Sequence, residues 1–547
     1  MFNREESGFD CVIGNPPWER MDLSEREFFS LPAPAIATAT TGAERKKMVE
    51  SLAKSDPSLF QRYKAVKSSI DAQRTYCHES GEYPLTGKGR SNFYAAFAEL
   101  AYQLVAPHGR VGILVPSGIA SDMTTKDLFS AVAASNRLIR LYDFENQKNF
   151  FPEVHASFRF CILNFAGEAV VQSEADFIFF VHQVEELDDR KRHVALSGDD
   201  LRLLNPNTRT CPLFCSRRDA DITKSIYRRV PVLFDRNRNG PTGNPWSLRF
   251  KQGLFNQTTD SHLFHEALTL KADGFKLKGN RWVKAKQTYL PLYEAKMFRP
   301  YDHRFGTVFE ERSNWINQGQ TTETTLAQHQ NPEHLVFPRW WVLQSIVEEQ
   351  LTQVPQPVVI GFRDVPRVGF TNKVPLVLTN MPPIRELCLL ANLNSIPLDY
   401  CTKQKFGGIS LNFFIVEQLP VLSPDTYDKP CPWDRRTTLE AWISERVLKL
   451  TCTAEDMLPL AEACDFTNGS FQTEYGGRLN KWDEAERAEL MAELDAAFFH
   501  LYGLNRDDVE YILSTFKGIH DQRTLFPGPT STAQRIVQKF AEMSFPA

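Results

Sequence analysis

The sequence predicts an α/β fold that continues into a mixed α/β region and ends in helices. Three observations carry this reading. Phe9–Ile13, Arg110–Val115, Leu138–Phe144 and Phe158–Phe165 are short apolar runs of strand length, rich in β-branched and aromatic residues. Between the earlier runs lie stretches whose apolar residues recur at three- and four-residue steps, the spacing of helices. From about Asp425 onward that helical spacing dominates, as in Leu490, Leu494, Ala497, Phe498 and Leu501.

Taken in order, Phe9-Asp10-Cys11-Val12-Ile13 reads as a buried strand of a parallel sheet. It stops at Gly14-Asn15-Pro16-Pro17-Trp18, because two prolines without N–H groups cannot extend a ladder. Residues 24–85 form a helical insertion, with helices over Glu44–Lys54 and Leu59–Gln73 broken by the small-residue stretch Leu31–Gly42. Its length marks it as a lid or a subdomain facing a nucleic-acid partner. Gly87-Lys88-Gly89 lacks the ending of a phosphate-binding loop, and Ser91 or Asn92 caps a helix over Phe93–Val105. Pro107-His108-Gly109 reads as a turn, Arg110–Val115 as the second strand and Thr125–Asn136 as a helix. Leu138–Phe144 is the third strand, Asn149–Val154 a loop and Phe158–Phe165 the fourth strand. Asn205-Pro206-Asn207-Thr208 is turn chemistry and marks a boundary. The expected domains are therefore 1–204, 205–424 and 425–547. In the last of these, Leu439–Leu450, Asp483–Tyr502 and Asp507–Phe516 are helices, and His500 is a packing residue.

Composition narrows the function. With 547 residues, 42% hydrophobic and 24% charged, the chain has the balance of a globular protein of several domains. It holds no apolar run of 18 residues and no secretory leader pattern, so a membrane span is not expected. Ten cysteines without zinc-ligand spacing read as reduced thiols in a cytoplasmic protein, with no metal site. The net charge of −4 hides an uneven distribution. Arg209–Lys251 carries ten bases against three acids, and Gly274–Arg299 seven against one. Thr453–Glu510 carries fourteen acids against four bases. A basic middle of this kind suits a polyanion, and Arg217, Arg218, Arg228 and Arg229 are its candidate contacts.

The chemistry points to an exocyclic amine. Asn15 Oδ1 and the Pro16 carbonyl, on a support stiffened by Pro17, can accept N–H groups from a planar amine, and Trp18 can stack on its ring. These residues resemble the Asn/Asp-Pro-Pro-aromatic motif of amino-group DNA methyltransferases. The Asn form preceded by Phe-Asp-x-Val-Ile-Gly is most similar to the gamma class of N6-adenine enzymes, of the large restriction-modification type with a fused target-recognition region. The resemblance implies that residues 1–204 hold the C-terminal half of a Rossmann-like methyltransferase sheet, and residues 205–424 the region that recognises double-stranded DNA. Strings such as Tyr289–Met297, Tyr301-Asp302-His303-Arg304-Phe305, Gly361-Phe362-Arg363-Asp364, Phe406–Asn412 and Val416–Val421 look like that region. It further implies S-adenosyl-L-methionine as cofactor, with Asn15, Asn92 and Phe93 on its side of the pocket. A flipped adenine would stack on Trp18 and Phe151, or on the neighbouring Phe150. A restriction-modification or phage-defence role in a prokaryotic cytoplasm, with a restriction endonuclease as partner, follows from the same likeness.

One part of that pattern is missing. The family places a Phe-x-Gly-x-Gly turn and a ribose-binding acid before the Asn-Pro-Pro strand, and here thirteen residues precede Gly14. The expectation is that a second polypeptide supplies the first half of the sheet, or that the chain is a truncated form. Two other readings stay open. One is a non-catalytic DNA-recognition subunit. The other is a Mg²⁺-dependent nuclease, on the Glu-x-Lys spacing of Glu294 and Lys296 with Asp273 as the further acid.

Overall fold

A computed structural model describes residues 8–39, 41–89, 92–148, 150–308, 320–352, 359–360, 369–370, 374–405, 411–521 and 530–543. The chain divides into two compact units, 1–224 with 404–407, and 225–403 with 408–547. The division falls after Lys224 rather than at the Asn-Pro-Asn-Thr turn, and no division separates the predicted recognition region from the C-terminal helices.

The first unit is built on a mixed six-stranded sheet. Its elements are β1 (Phe9–Gly14), α1 (Gly42–Ser55), α2 (Pro57–Glu79), α3 (Phe93–Leu104), β2 (Val105–Pro116), α4 (Lys126–Ala134), β3 (Leu138–Glu145), β4 (Arg159–Ala166), β5 (Ala175–Val181) and β6 (Val194–Leu196). The spatial order is β1-β2-β4-β3-β5-β6. β1 runs parallel to β2, with Val12 opposite Val111. β4 lies antiparallel between β2 and β3, and β5 is parallel to β3. β5 and β6 extend the sheet beyond the four strands expected.

Two expectations are corrected here. The run Phe9–Ile13 is a strand but not a buried one. Among the described residues it pairs only with β2, and Ile13 is 83% exposed. Pro107-His108-Gly109 is not a turn but lies within β2. The register jumps from Phe9 opposite Val105 to Cys11 opposite Arg110, so the three residues form an irregularity in a continuing strand. Gly109 is required there, since a Cβ would lie 2.6 Å from the Phe9 carbonyl oxygen.

α3 packs on β2 and buries Tyr94, Ala95, Ala96, Ala98 and Ala101, the four alanines allowing close approach. Buried Glu99 accepts hydrogen bonds from Leu85 N, Thr86 N and Thr86 Oγ1, tying the chain before Gly87 to the helix. The insertion has its own core of Phe29, Ile36, Val49, Leu52, Leu59 and Tyr63. Its interrupting stretch contains a further short helix, Pro34–Ala37.

α5 (Arg217–Arg229) spans the division between the units. The second unit holds β7 (Arg249–Lys251), β8 (Lys276–Lys278), β9 (Arg281–Lys284), β10 (Gln287–Tyr293), β11 (Trp340–Leu343), β12 (Leu376–Leu378) and the helices α6 (Pro383–Leu393), α7 (Leu439–Thr451), α8 (Glu484–Leu501), α9 (Arg506–Ser514) and α10 (Thr532–Glu542). β8, β9, β10 and β11 form an antiparallel ladder, and β7 pairs with β12. α7 packs against α6 and α8, and α8 against α10. His500 packs as expected, stacked on Phe540 at 3.9 Å. All ten cysteines are free thiols, and no helix among the described residues is long and apolar enough to cross a membrane.

The Tyr301-Asp302-His303-Arg304 string knots this unit together. The fully buried Arg304 donates from Nη1 to the carbonyls of Asn331 and His334, and from Nη2 to those of His329 and Thr453. His303 Nε2 lies 2.8 Å from Asp456 Oδ1, and His329 Nε2 3.2 Å from Asp302 Oδ2. Arg304→Ala strands four carbonyls and should cost about 3–5 kcal/mol in urea unfolding. Burial alone would raise the pKa values of Asp302 and Asp456, but His329 and His303 bring them below the usual 3.8. Their contribution is complete above that value and is lost as the pH falls through the lower folded values. Wild-type Tm should therefore drop more steeply below about pH 4 than that of Asp456→Asn.

Candidate functional site

The site lies at the carboxyl end of β1 and β2. Beyond Gly14 the chain leaves the sheet, with Asn15 and Pro17 exposed and Pro16 and Trp18 half-buried. Trp18 Nε1 donates to the Leu114 carbonyl at 3.3 Å and pins the Asn-Pro-Pro-Trp turn onto β2. The chain then runs beside the start of α3: Phe93 N donates to Glu19 O at 3.2 Å, and Arg20 forms a bridge with Asn92. The structure thus brings Asn15–Trp18 and Asn92–Phe93 into one neighbourhood. Asn92 is the N-cap residue of α3, but its side chain turns to the Tyr94 hydroxyl at 3.4 Å; Ser91, the alternative cap, lies outside the described residues. Phe93 lines an apolar cavity of about 430 Å³ with Met21, Tyr76, Tyr83, Phe97 and Leu100.

A carboxylate that sequence reasoning passed over stands nearby. A Cβ on Gly118 would lie 2.4 Å from Asp122 Oδ2 and 3.4 Å from the Tyr94 hydroxyl, so the two groups crowd the same glycine. Burial raises the Asp122 pKa and the Arg20 charge opposes it. Burial, helped by Asp122, pushes Tyr94 up to about 12.

Trp18 heads an aromatic cluster. Its ring stacks on Phe158 (5.7 Å, 10°) and on Phe160 (5.9 Å, 29°), and meets Phe151 edge to face (5.4 Å, 75°). Trp18 and Phe151, expected to take the two faces of one base, are together but in direct contact, with no slot for a third ring between them. Phe150 packs away from Trp18, against Phe144 and Phe160. The Phe151 backbone is held by the buried Asn146, whose Oδ1 accepts from Phe151 N at 3.0 Å. Asn146 Nδ2 donates to the Phe151 and Val154 carbonyls at 2.9 and 2.7 Å.

Asp143 fixes the strands beneath this cluster. Its carboxylate accepts from Ser117 Oγ, from Arg159 Nε at 3.2 Å, from Arg159 Nη2 at 2.5 Å and from Phe180 N at 3.1 Å. Those donors stand at the ends of β2, β4 and β5. Arg159 also lies over the Phe180 ring at 4.5 Å, and Phe180 has a φ of 55°, outside ordinary strand geometry. Asp143 had one visible signal in the sequence, an acid inside an apolar strand run. Asn146 and Phe158 had none.

The four candidate arginines are exposed on α5. Arg217 and Arg228, eleven residues apart, fall on one face, with Arg218 and Arg229 beside them. Asp221 interrupts that stripe, and Arg229 Nη1 is held by the Gly503 carbonyl. Glu294 Oε2 pairs with Lys296 at 3.2 Å, while Asp273 ends a short helix, Ala267–Ala272. Gly361–Asp364 and Phe406–Ser410 lie outside the described residues.

No family model matches the chain, and no curated protein matches it. Solved structures similar to it include the Type IIL restriction-modification enzyme MmeI in complex with DNA, at 13% identity and a TM-score of 0.37, covering 86% of this chain and 54% of that one. A DrdV–DNA complex matches at 13% identity and a TM-score of 0.18, over 33% of this chain and 16% of the other. The type IIG restriction endonuclease BpuSI matches at 11% identity and a TM-score of 0.24, over 80% of this chain and 52% of its own. The chain thus spans about half the length of MmeI and BpuSI.

The Asn146 clasp generates a test. Asn146→Ala removes three hydrogen bonds to the Phe151 loop and should cost about 1–3 kcal/mol. Chymotrypsin should then cut after Phe150 faster than in wild type, while cleavage elsewhere is unchanged.

Proposed function

We propose that the chain carries the amine-orienting half of an N6-adenine DNA methyltransferase of a restriction-modification or phage-defence system, and that its sheet is the C-terminal half of a Rossmann-like domain. The observation that carries this reading is the Asn-Pro-Pro-Trp turn at the carboxyl end of β1. Its indole is anchored to Leu114 and it lies beside the start of α3. Ligands of open α/β sheets bind beyond the carboxyl ends of the strands.

A target adenine leaves the duplex to reach such a site. Asn15 Oδ1 and the Pro16 carbonyl accept hydrogen bonds from its two N6–H groups, which draws the nitrogen lone pair out of conjugation with the ring and makes it nucleophilic. Trp18 supplies an aromatic face, and Phe151, which touches the Trp18 ring, has to move away before a base can lie between the two. S-adenosyl-L-methionine supplies an electrophilic methyl group on a sulfonium. The residues present fit one side of that donor: the exposed Asn15 amide, and Phe93 at the rim of an apolar cavity. On the other side, β1 has no strand partner among the described residues, and Ile13 is exposed. A polypeptide segment bearing the glycine turn, in this or another chain, completes the sheet there.

With that segment supplied, Asn15→Ala should lower methyl transfer by orders of magnitude and leave duplex binding near wild type, so that kcat falls more than KM rises. Unchanged rates would reject the role of Asn15. The 547-residue chain by itself should bind S-adenosyl-L-methionine weakly in calorimetry, and adding the segment should raise cofactor affinity and Tm together. Micromolar binding by the chain alone would place the cofactor elsewhere.

A further inference from the structure

A hollow of about 650 Å³ in the second unit is lined by Phe234, Arg236, Arg238, Asn239, Asn244 and Ser247, among others. The segment that forms it is braced against itself. Asp235 N donates to Gly243 O at 2.8 Å and Asn244 N to Gly240 O at 3.0 Å. Asn244 Oδ1 accepts from Leu248 N at 2.7 Å, and its Nδ2 donates to Leu248 O at 3.0 Å. A Cβ on Gly243 would stand 2.2 Å from the Arg238 carbonyl oxygen, so only glycine fits. Ser247 holds a φ of 52°, a conformation that side chains other than glycine seldom adopt and that tends to be kept where a surface does work.

Arg236 is the unusual member. Its side chain is 56% exposed, yet its Nε and Nη2 bond at 2.7 and 2.6 Å to Glu417, whose side chain is 2% exposed. The backbone of the neighbouring Phe234 donates to the Glu417 carbonyl at 2.8 Å. A buried carboxylate is costly to keep and adds little net stability. What it provides is direction, since a two-point pair fixes the guanidinium plane. The pair is also nearly neutral, which makes it a poor general attractor of phosphate. A fixed guanidinium at the mouth of a rigid hollow is suited to the O6/N7 edge of guanine, which an arginine meets with two parallel N–H groups.

We propose that Arg236, oriented by Glu417, reads a guanine in the major groove of the duplex and so fixes one position of the recognised sequence. This rests on the DNA-modifying reading above. The test selects duplexes from a random pool with the full chain, its Arg236→Met variant, and the double variant Arg236→Gln, Glu417→Gln. The double variant keeps a neutral hydrogen-bonded pair should the single change disturb folding. Both variants should lose preference for guanine at one position by about 5- to 150-fold, with other positions and the salt dependence of binding unchanged. An unaltered preference overturns the proposal. So does an even loss across all sequences with a shallower salt slope, which would make Arg236 a phosphate contact. Failure of the unsubstituted chain to bind any duplex would instead overturn the DNA-modifying reading beneath it.

Discussion

The buried Asp143 carboxylate is the constraint on which the first unit's functional end depends. Four donor atoms converge on it, from the residue after β2, the first residue of β4 and the irregular turn of β5. A carboxylate away from water is tolerated only when its oxygens are satisfied. Here that requirement sets the relative positions of three strand ends. The strand order makes the arrangement possible, because β4 inserts between β2 and β3 and brings Arg159 within reach of Asp143. Phe158 and Phe160 then follow from the same strand start, and Trp18 lies on them. The aromatic platform is thus held from below by a charge and from the side by Asn146.

The second unit uses the same device with the charges inverted. Arg304 gathers carbonyls from segments far apart in sequence, and Arg487 does so with Tyr301 and Leu450. Burial brings Arg487 down to about 10, while Asp302 works to keep it charged. Its guanidinium also lies over Trp482, which stacks on His329. The loop-rich strands and the C-terminal helices are therefore locked together by cations bonded to backbone. This stretch has few long strands to stiffen it, and a buried arginine with several carbonyl partners substitutes for them.

Much of this architecture was legible in the residues. Each of the four apolar runs is a strand, and the helices over Phe93–Leu104, Leu439–Thr451 and Glu484–Leu501 begin and end within a few residues of their apolar spacing. The Asn-Pro-Pro-Trp turn ends a strand as its prolines require. Pairing was not legible. Period and propensity say which residues form a strand but not which strands lie beside it, so the further strands β5 and β6 emerged only in three dimensions. Pro107-His108-Gly109 misled for a related reason. The same residues that make turns also make irregularities within strands, and only the neighbouring strand decides between them. Long-range side-chain partners such as Asp143 with Arg159, or Arg236 with Glu417, leave no spacing signal at all.

The position of β1 has a consequence for solution work. On a strand paired along one side, alternate amide groups point to the neighbour and the rest point outward. Amide hydrogen exchange along Phe9–Gly14 should then alternate between slow and fast with a period of two residues. Covering the free side would slow the fast set without touching the slow one. The contrast between odd and even positions is a direct gauge of whether that edge is occupied, readable without knowing what occupies it.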